Sequence, residues 1–306
     1  MGDISRREFV QAGVAGTALS LAASTALAQT ASPSKSEVYV GKGKAEETIG
    51  KLMQKMGGMG RFVKPGSRVI VKPNMSFANP PDWGTTTSPA AVRAVCLLCI
   101  AAGARRIMVC DNTLREPEAC KTQSGIADAV ADLKSKGVVI FVPKDPSLFE
   151  SRSDSRAKAL TKTDVVKEVL RADALISLPT AKSHSAGGIS LGIKGLMGLV
   201  KERGPFHAEL DLHLAVAEQL YYITPTLTII DASRALLDNG PSGPGTVKQL
   251  DTFVAGTDPV ATDSFGVTLA AWYGKQFEGR QVAHIKKAGE LGFGNVESSM
   301  ISQISV

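Results

Sequence analysis

Short apolar runs of strand length alternate with helix-length apolar or amphipathic stretches along most of this chain. Val69, Ile70 and Val71 make a buried-strand run closed by Lys72, Pro73 and Asn74, and residues 105–110 make a second one closed by Asp111 and Asn112. Between them residues 90–102 are almost wholly apolar, with Ser88 placed as N-cap, Pro89 as first helical residue and Gly103 as the stop. Strand, helix, strand predicts a parallel crossover unit. The alternation continues with a helix near 125–136, a strand at 138–142, a helix near 164–170 and a strand at 174–178 that Pro179 ends. After a glycine-rich segment come an amphipathic helix over 208–222, a strand 227–230 ending in Asp231, a strand 252–255, and a helix capped by Asp258 with Pro259 behind it. The pattern predicts a three-layer α/β fold with a mostly parallel central sheet, Rossmann-like, over residues 45–306 as a single domain with room for two lobes. Residues 29–44 are polar and read as a loose segment or an edge element.

The N-terminus follows another rule. Ser5-Arg6-Arg7-Glu8-Phe9-Val10 is a twin-arginine export motif, and an apolar run at 14–27 follows it. That run is short of the about 20 residues a membrane span needs and is rich in Ala, Gly, Ser and Thr, while Ala26-Leu27-Ala28 is a small-residue cleavage site. A twin-arginine signal peptide over 1–28, cleaved near Ala28, is therefore expected. It implies contact with the twin-arginine export machinery, a periplasmic location, and no stable membrane anchor after cleavage.

Charge narrows the partners. The net charge of +6 survives removal of residues 1–28, because Arg6 and Arg7 leave with Asp3 and Glu8. The excess is scattered, with no basic block or basic helix carrying aromatics, which argues against nucleic acid and leaves an anionic small ligand. Cys96 and Cys99 sit in the apolar helix and read as small core hydrophobes, whereas Cys110 and Cys120 leave a short-loop disulfide open. Their spacing matches neither a zinc ribbon nor a ferredoxin.

Ligands of open α/β sheets bind beyond the carboxyl ends of the strands, and here that edge collects Lys72, Asn74, Asp111, Lys182, His184 and Asp231. Taken singly, each is an ordinary turn cap or rim lysine. Their coincidence marks a candidate cleft. Residues 179–198 place Lys182, His184 and Lys194 among five glycines, where backbone N–H groups can approach an anion and a lysine adds a point charge. No phosphate-loop motif is present, and tight packing is the competing reason for the glycines. Thr86 and Thr87 before Pro89 offer hydroxyls and N–H groups at a helix start. The resulting expectation is Lys182 and His184 as catalytic groups, with Lys72, Asn74, Thr86, Thr87, Lys194 and Gly195 binding a ligand or cofactor. Asp231, Asp263 and His207 are candidates for a metal ion, and a pairing of His184 with His207 across the cleft is left open.

Six ordered motifs carry a resemblance. They are Val71-Lys72-Pro73-Asn74; Thr86-Thr87-Ser88-Pro89 with Val92-Arg93-Ala94-Val95; Pro179-Thr180-Ala181-Lys182-Ser183-His184; Gly192-Ile193-Lys194-Gly195-Leu196-Met197-Gly198; Asn239-Gly240-Pro241; and Asp258-Pro259-Val260-Ala261-Thr262-Asp263. On these the chain, over about 69–294, resembles the domain of unknown function 362 family, a bacterial and archaeal group often joined to ferredoxin-like modules. The family has no agreed activity, so the resemblance implies a shared architecture and cleft rather than a reaction. The chain lacks a cysteine-rich ferredoxin segment, which argues against an intrinsic iron–sulfur cluster. The expectation is thus an enzyme-like exported protein that binds an anionic small molecule or a cofactor of unknown identity. Its rival is a non-catalytic accessory protein of the periplasm that binds a metal or redox cofactor, or a partner such as a redox protein, without turnover.

Overall fold

Ten strands are built into one sheet in the computed structural model, which describes residues 34–306; the expected signal segment 1–28 lies outside the described residues. The strands are β1 (Ser36–Lys42), β2 (Arg68–Pro73), β3 (Arg106–Cys110), β4 (Val138–Phe141), a separate hairpin of β5 (Phe149–Ser153) and β6 (Lys162–Val166), and β7 (Ala174–Leu178). Then follow β8 (Thr180–His184), β9 (Gly188–Ser190), β10 (Leu227–Leu236), β11 (Val247–Gly256) and β12 (Ile301–Ser305). The sheet order is β12-β1-β11-β10-β7-β2-β3-β4, with β8 paired to β10 and β9. From β10 to β4 every pairing is parallel, and β11 runs antiparallel to both β10 and β1.

Period-two burial explains the layers. Ile70 and Met108 pack into the hydrophobic cluster on one face of the sheet, while Val69, Val71, Ile107 and Val109 pack into the cluster on the other. A sheet buried on both faces needs helices on both, which is the three-layer α/β arrangement. Each such buried Val or Ile contributes about 1.5–3 kcal/mol. Helix Pro89–Ala101 starts as the sequence predicts: the Ser88 hydroxyl accepts from the Ala91 N–H at 3.1 Å, and Val92, Val95, Cys96 and Cys99 are buried.

Several boundaries differ. Of the segment 29–44 expected to be loose, residues 36–42 form β1, an interior strand between β11 and β12. The helix expected over 164–170 is helical only at Lys167–Leu170, because Thr163, Val165 and Val166 turn inward in β6 against β5. The helix expected over 208–222 is broken: Asp211 accepts from the N–H groups of His213 and Leu214 and starts a new helix, Leu212–Glu218. All four cysteines are buried free thiols, so Cys110 and Cys120 form no disulfide. Burial pushes the Cys96 thiol up to about 12. Among the described residues no helix is long and apolar enough to cross a membrane.

Candidate functional site

The parallel strands β2, β3 and β7 all end at one edge, and their next residues line a cleft of about 420 Å3. Lys72 and Asn74 come from the end of β2, Asp111 follows β3, and Pro179 turns the chain from β7 into β8, which carries Lys182 and His184. The short helix Gly192–Gly195 brings in Lys194, and the helix Gly204–Ala208 adds His207, with Arg203 directly before it. The structure thus brings Lys72, Asn74, Lys182, His184, Lys194, Gly195 and His207 to one place.

Lys72 is the fixed cation. Its Nζ lies 3.1 Å from Asp111 Oδ1 with both side chains almost fully buried, and it donates to the Pro73 carbonyl at 2.5 Å. The other Asp111 oxygen accepts from the Met75 N–H at 2.7 Å and the Ser76 hydroxyl at 2.9 Å. Gly198 is required beside this pair: a Cβ there would overlap the Asp111 carboxylate and come within 2.6 Å of Lys72 Cε. Asn74 ties two strand ends together, its Oδ1 accepting from the Thr180 N–H at 2.9 Å. Thr87 shares that task, taking the Asn74 N–H at 2.8 Å and donating its hydroxyl to the Leu178 carbonyl at 2.7 Å. Thr86 and Thr87 do not line the cleft; the Thr86 hydroxyl is buried and makes no hydrogen bond.

Two residues expected as metal candidates hold backbone instead. Asp231 accepts from the Ser88 N–H at 2.7 Å and from the N–H and hydroxyl of Ser233, so it fixes the start of helix Pro89–Ala101. Asp263 accepts from the Gly192 and Ile193 N–H groups, each at 2.8 Å, and thereby anchors the turn that presents Lys194. Burial pushes the Asp263 carboxyl up to about 7, against the lowering effect of those two bonds. Among the described residues no group of three or more His, Cys, Asp or Glu side chains is gathered to hold a metal.

Lys182 and Lys194 differ from Lys72 because neither has a carboxylate within ion-pair distance among the described residues. The Lys182 Nζ donates to the Thr85 carbonyl at 2.7 Å and lies 5.3 Å from the centre of the Phe77 ring. Burial pushes its ammonium down to about 7, with the charges of Lys72 and Lys194 adding to the effect and Asp111 opposing it. Lys194 also falls to about 7, through burial and the nearby Arg203 charge. His184 Nδ1 accepts from the N–H groups of Ala186 and Gly187 at 3.2 and 3.1 Å. Neutral imidazole then carries its proton on Nε2, which lies 3.3 Å from Lys194 Nζ. Burial, then the Lys194 and Lys182 charges, hold His184 far below the usual histidine range, so it stays neutral. Its ring lies parallel to His207, with centroids 5.9 Å apart.

Arg203 escapes a reading of the sequence. It sits in Lys201-Glu202-Arg203, which looks like a solvated charge run, yet its guanidinium turns inward to the Asn112 carbonyl and lies 3.4 Å from the Ser76 hydroxyl. Tyr273 is also hidden in the sequence: its hydroxyl accepts from the His184 N–H and donates to the Gly188 carbonyl, each at 3.0 Å.

The sequence matches the family model described as Domain of unknown function (DUF362) over residues 69–268. The chain belongs to that family. Every residue that lines the cleft lies within the span that matches DUF362. A thylakoid-associated protein of Synechocystis is 30% identical over 219 residues, a stretch covering 69% of this chain and 65% of that protein. The lactate racemase apoprotein from Thermoanaerobacterium thermosaccharolyticum superposes with a TM-score of 0.48 at 13% identity, over 76% of this chain and 57% of that one. The chain therefore spans less than two thirds of the length of either protein.

Proposed function

We propose that this DUF362 protein is exported by the twin-arginine route and binds an anionic small molecule in the strand-end cleft, acting on it by proton transfer. One observation carries the reading: Lys72, Lys182, Lys194 and Arg203 converge on a cleft in which, among the described residues, the one lining carboxylate is Asp111, and that carboxylate is already engaged. Cations clustered in a low-dielectric cleft attract an anion and gain more from it than surface charges do. Lys72 and Arg203, held by Asp111 and by the Asn112 carbonyl, supply positive charge. Lys182 and Lys194 titrate near neutrality and can give or take a proton. His184, expected from the sequence as the proton carrier, serves instead as a neutral donor that orients Lys194.

Calorimetry with oxalate as probe tests the cleft: oxalate should bind at low salt, and Lys72→Ala should weaken it by at least about tenfold, the loss of a desolvated charge partner. Unchanged affinity in Lys72→Ala places the anion elsewhere and refutes the reading. Export is tested separately. Arg6→Lys with Arg7→Lys should leave the protein in the cytoplasm, and normal periplasmic delivery of that variant excludes the twin-arginine route.

A further inference from the structure

Lys194 has the surroundings of an amine rather than of an ammonium. It is 6% exposed, and among the described residues no carboxylate lies within ion-pair distance of it. Its polar neighbours are His184 Nε2 at 3.3 Å and Met197 Sδ at 3.0 Å. The two backbone N–H groups that occupy His184 Nδ1 put the ring proton on Nε2, so the histidine is a donor toward Lys194. A donor facing Nζ needs a lone pair to receive it. An ammonium has none, and a neutral amine has one. The sulfur of Met197 takes an N–H of the same amine, which completes the match.

We propose that Lys194 is a nucleophile that forms a Schiff base with a small carbonyl compound bearing a carboxylate, a 2-oxo acid or an aldehyde acid. The proposal rests on the anion-binding reading above and names its substrate class. Lys72 and Arg203 would hold the carboxylate, leaving the carbonyl carbon toward Lys194. The Nζ lone pair adds to that carbon, a C–N bond forms and the C=O π pair moves to oxygen. The proton from nitrogen passes to that oxygen, giving a carbinolamine. The Lys182 ammonium then protonates the hydroxyl, the C–O bond breaks and water leaves. Amine, carbonyl and one proton have become an iminium and water. His184 Nε2–H, released from the amine lone pair once nitrogen bonds to carbon, is placed to donate a hydrogen bond to the carbonyl oxygen as charge develops there.

At pH 7 an amine titrating near 7 holds a neutral fraction roughly 10³ above that of a surface lysine, so the reaction should be site-selective. The experiment treats the whole purified protein with glyoxylate or pyruvate, reduces with sodium borohydride, and maps the secondary amine by peptide mass spectrometry. The expected adduct sits on Lys194, exceeds that on any exposed lysine, and is suppressed by oxalate, which has no ketone or aldehyde to trap. Lys194→Arg should lose the adduct. The wild-type map decides the matter even where the variant fails to fold. Adducts spread over exposed lysines overturn the proposal, as does an unmodified Lys194 in protein that binds oxalate. Failure of oxalate itself to bind removes the anion-binding reading, and the proposal falls with it.

Discussion

Three lysines share one cleft, and the structure assigns opposite stability consequences to two of them. Lys72 and Asp111 form an ion pair with side chains 2% and 1% exposed. Lys72→Met deletes the cation and leaves the Asp111 carboxylate buried with the Met75 N–H and the Ser76 hydroxyl as its remaining donors. Removing one partner of such a pair typically costs about 3–5 kcal/mol, because an uncompensated charge stays behind. At about 2–4 °C per kcal/mol for a domain of this size class, the midpoint should fall by roughly 6–20 °C. Lys194→Met removes an amine of similar volume that has no counter-ion, so stability should stay level or rise by about 1 kcal/mol. Denaturation in urea at pH 7, followed by circular dichroism, measures both, and Lys72→Met with Asp111→Leu should recover part of the loss. Equal destabilisation by the two single variants would refute the reasoning, since it would mean that Lys194 is a structural cation like Lys72.

pH should act on the two lysines that, among the described residues, have no carboxylate partner. Lys182 and Lys194 have folded values pushed down to about 7, so between about pH 7 and 10 the unfolded chain binds protons that the folded one lacks. Their contribution therefore makes stability rise with pH through that window, by up to about 1.4 kcal/mol per pH unit for each lysine, while oxalate affinity falls; a flat midpoint and flat affinity from pH 7 to 9 contradict this. Gly198→Ala should disrupt the Lys72–Asp111 pair and depress both oxalate binding and the melting midpoint, checked by calorimetry and thermal denaturation. Asp263→Asn, which presents an N–H₂ to one of the two backbone donors, should cost about 1.5–3 kcal/mol and weaken oxalate binding through the displaced Lys194 turn. Cys96 and Cys99 should resist alkylation until unfolding, and rapid labelling of native protein would contradict their burial.

Local rules revealed the sheet because its strands obey them. The Val69-Ile70-Val71 run, the Ser88 cap and the Pro179 stop each depend on neighbours within a few residues, and each is where the sequence puts it. The hairpin of β5 and β6 was not legible, since its alternation is short and polar residues occupy the outward positions. Nor was β1, a polar-looking run that becomes interior through pairing with β11 and β12, more than two hundred residues away.

The cleft divides along the same line. Strand-end position and the glycine-rich segment singled out Lys72, Lys182 and His184, since Lys72 sits in the last residues of β2 and the other two follow the Pro179 stop of β7 within a few residues. Arg203 and the backbone duties of Asp231 and Asp263 depend on which loops meet, and a single sequence carries no signal for that. Asp263 shows what such a contact does. Its carboxylate lies seventy residues from the turn it anchors, so nothing local shows that it holds backbone rather than a metal, yet the two N–H groups it receives fix the two residues that lead into Lys194. A Cβ at Gly192 would lie 2.8 Å from Asp263 Oδ1, so that glycine is there for close approach of backbone to carboxylate and not for flexibility. The glycines of residues 179–198 therefore serve packing and chemistry together. Close approach at Gly192 and Gly198 sets the positions from which Lys194 and Lys72 reach the cleft.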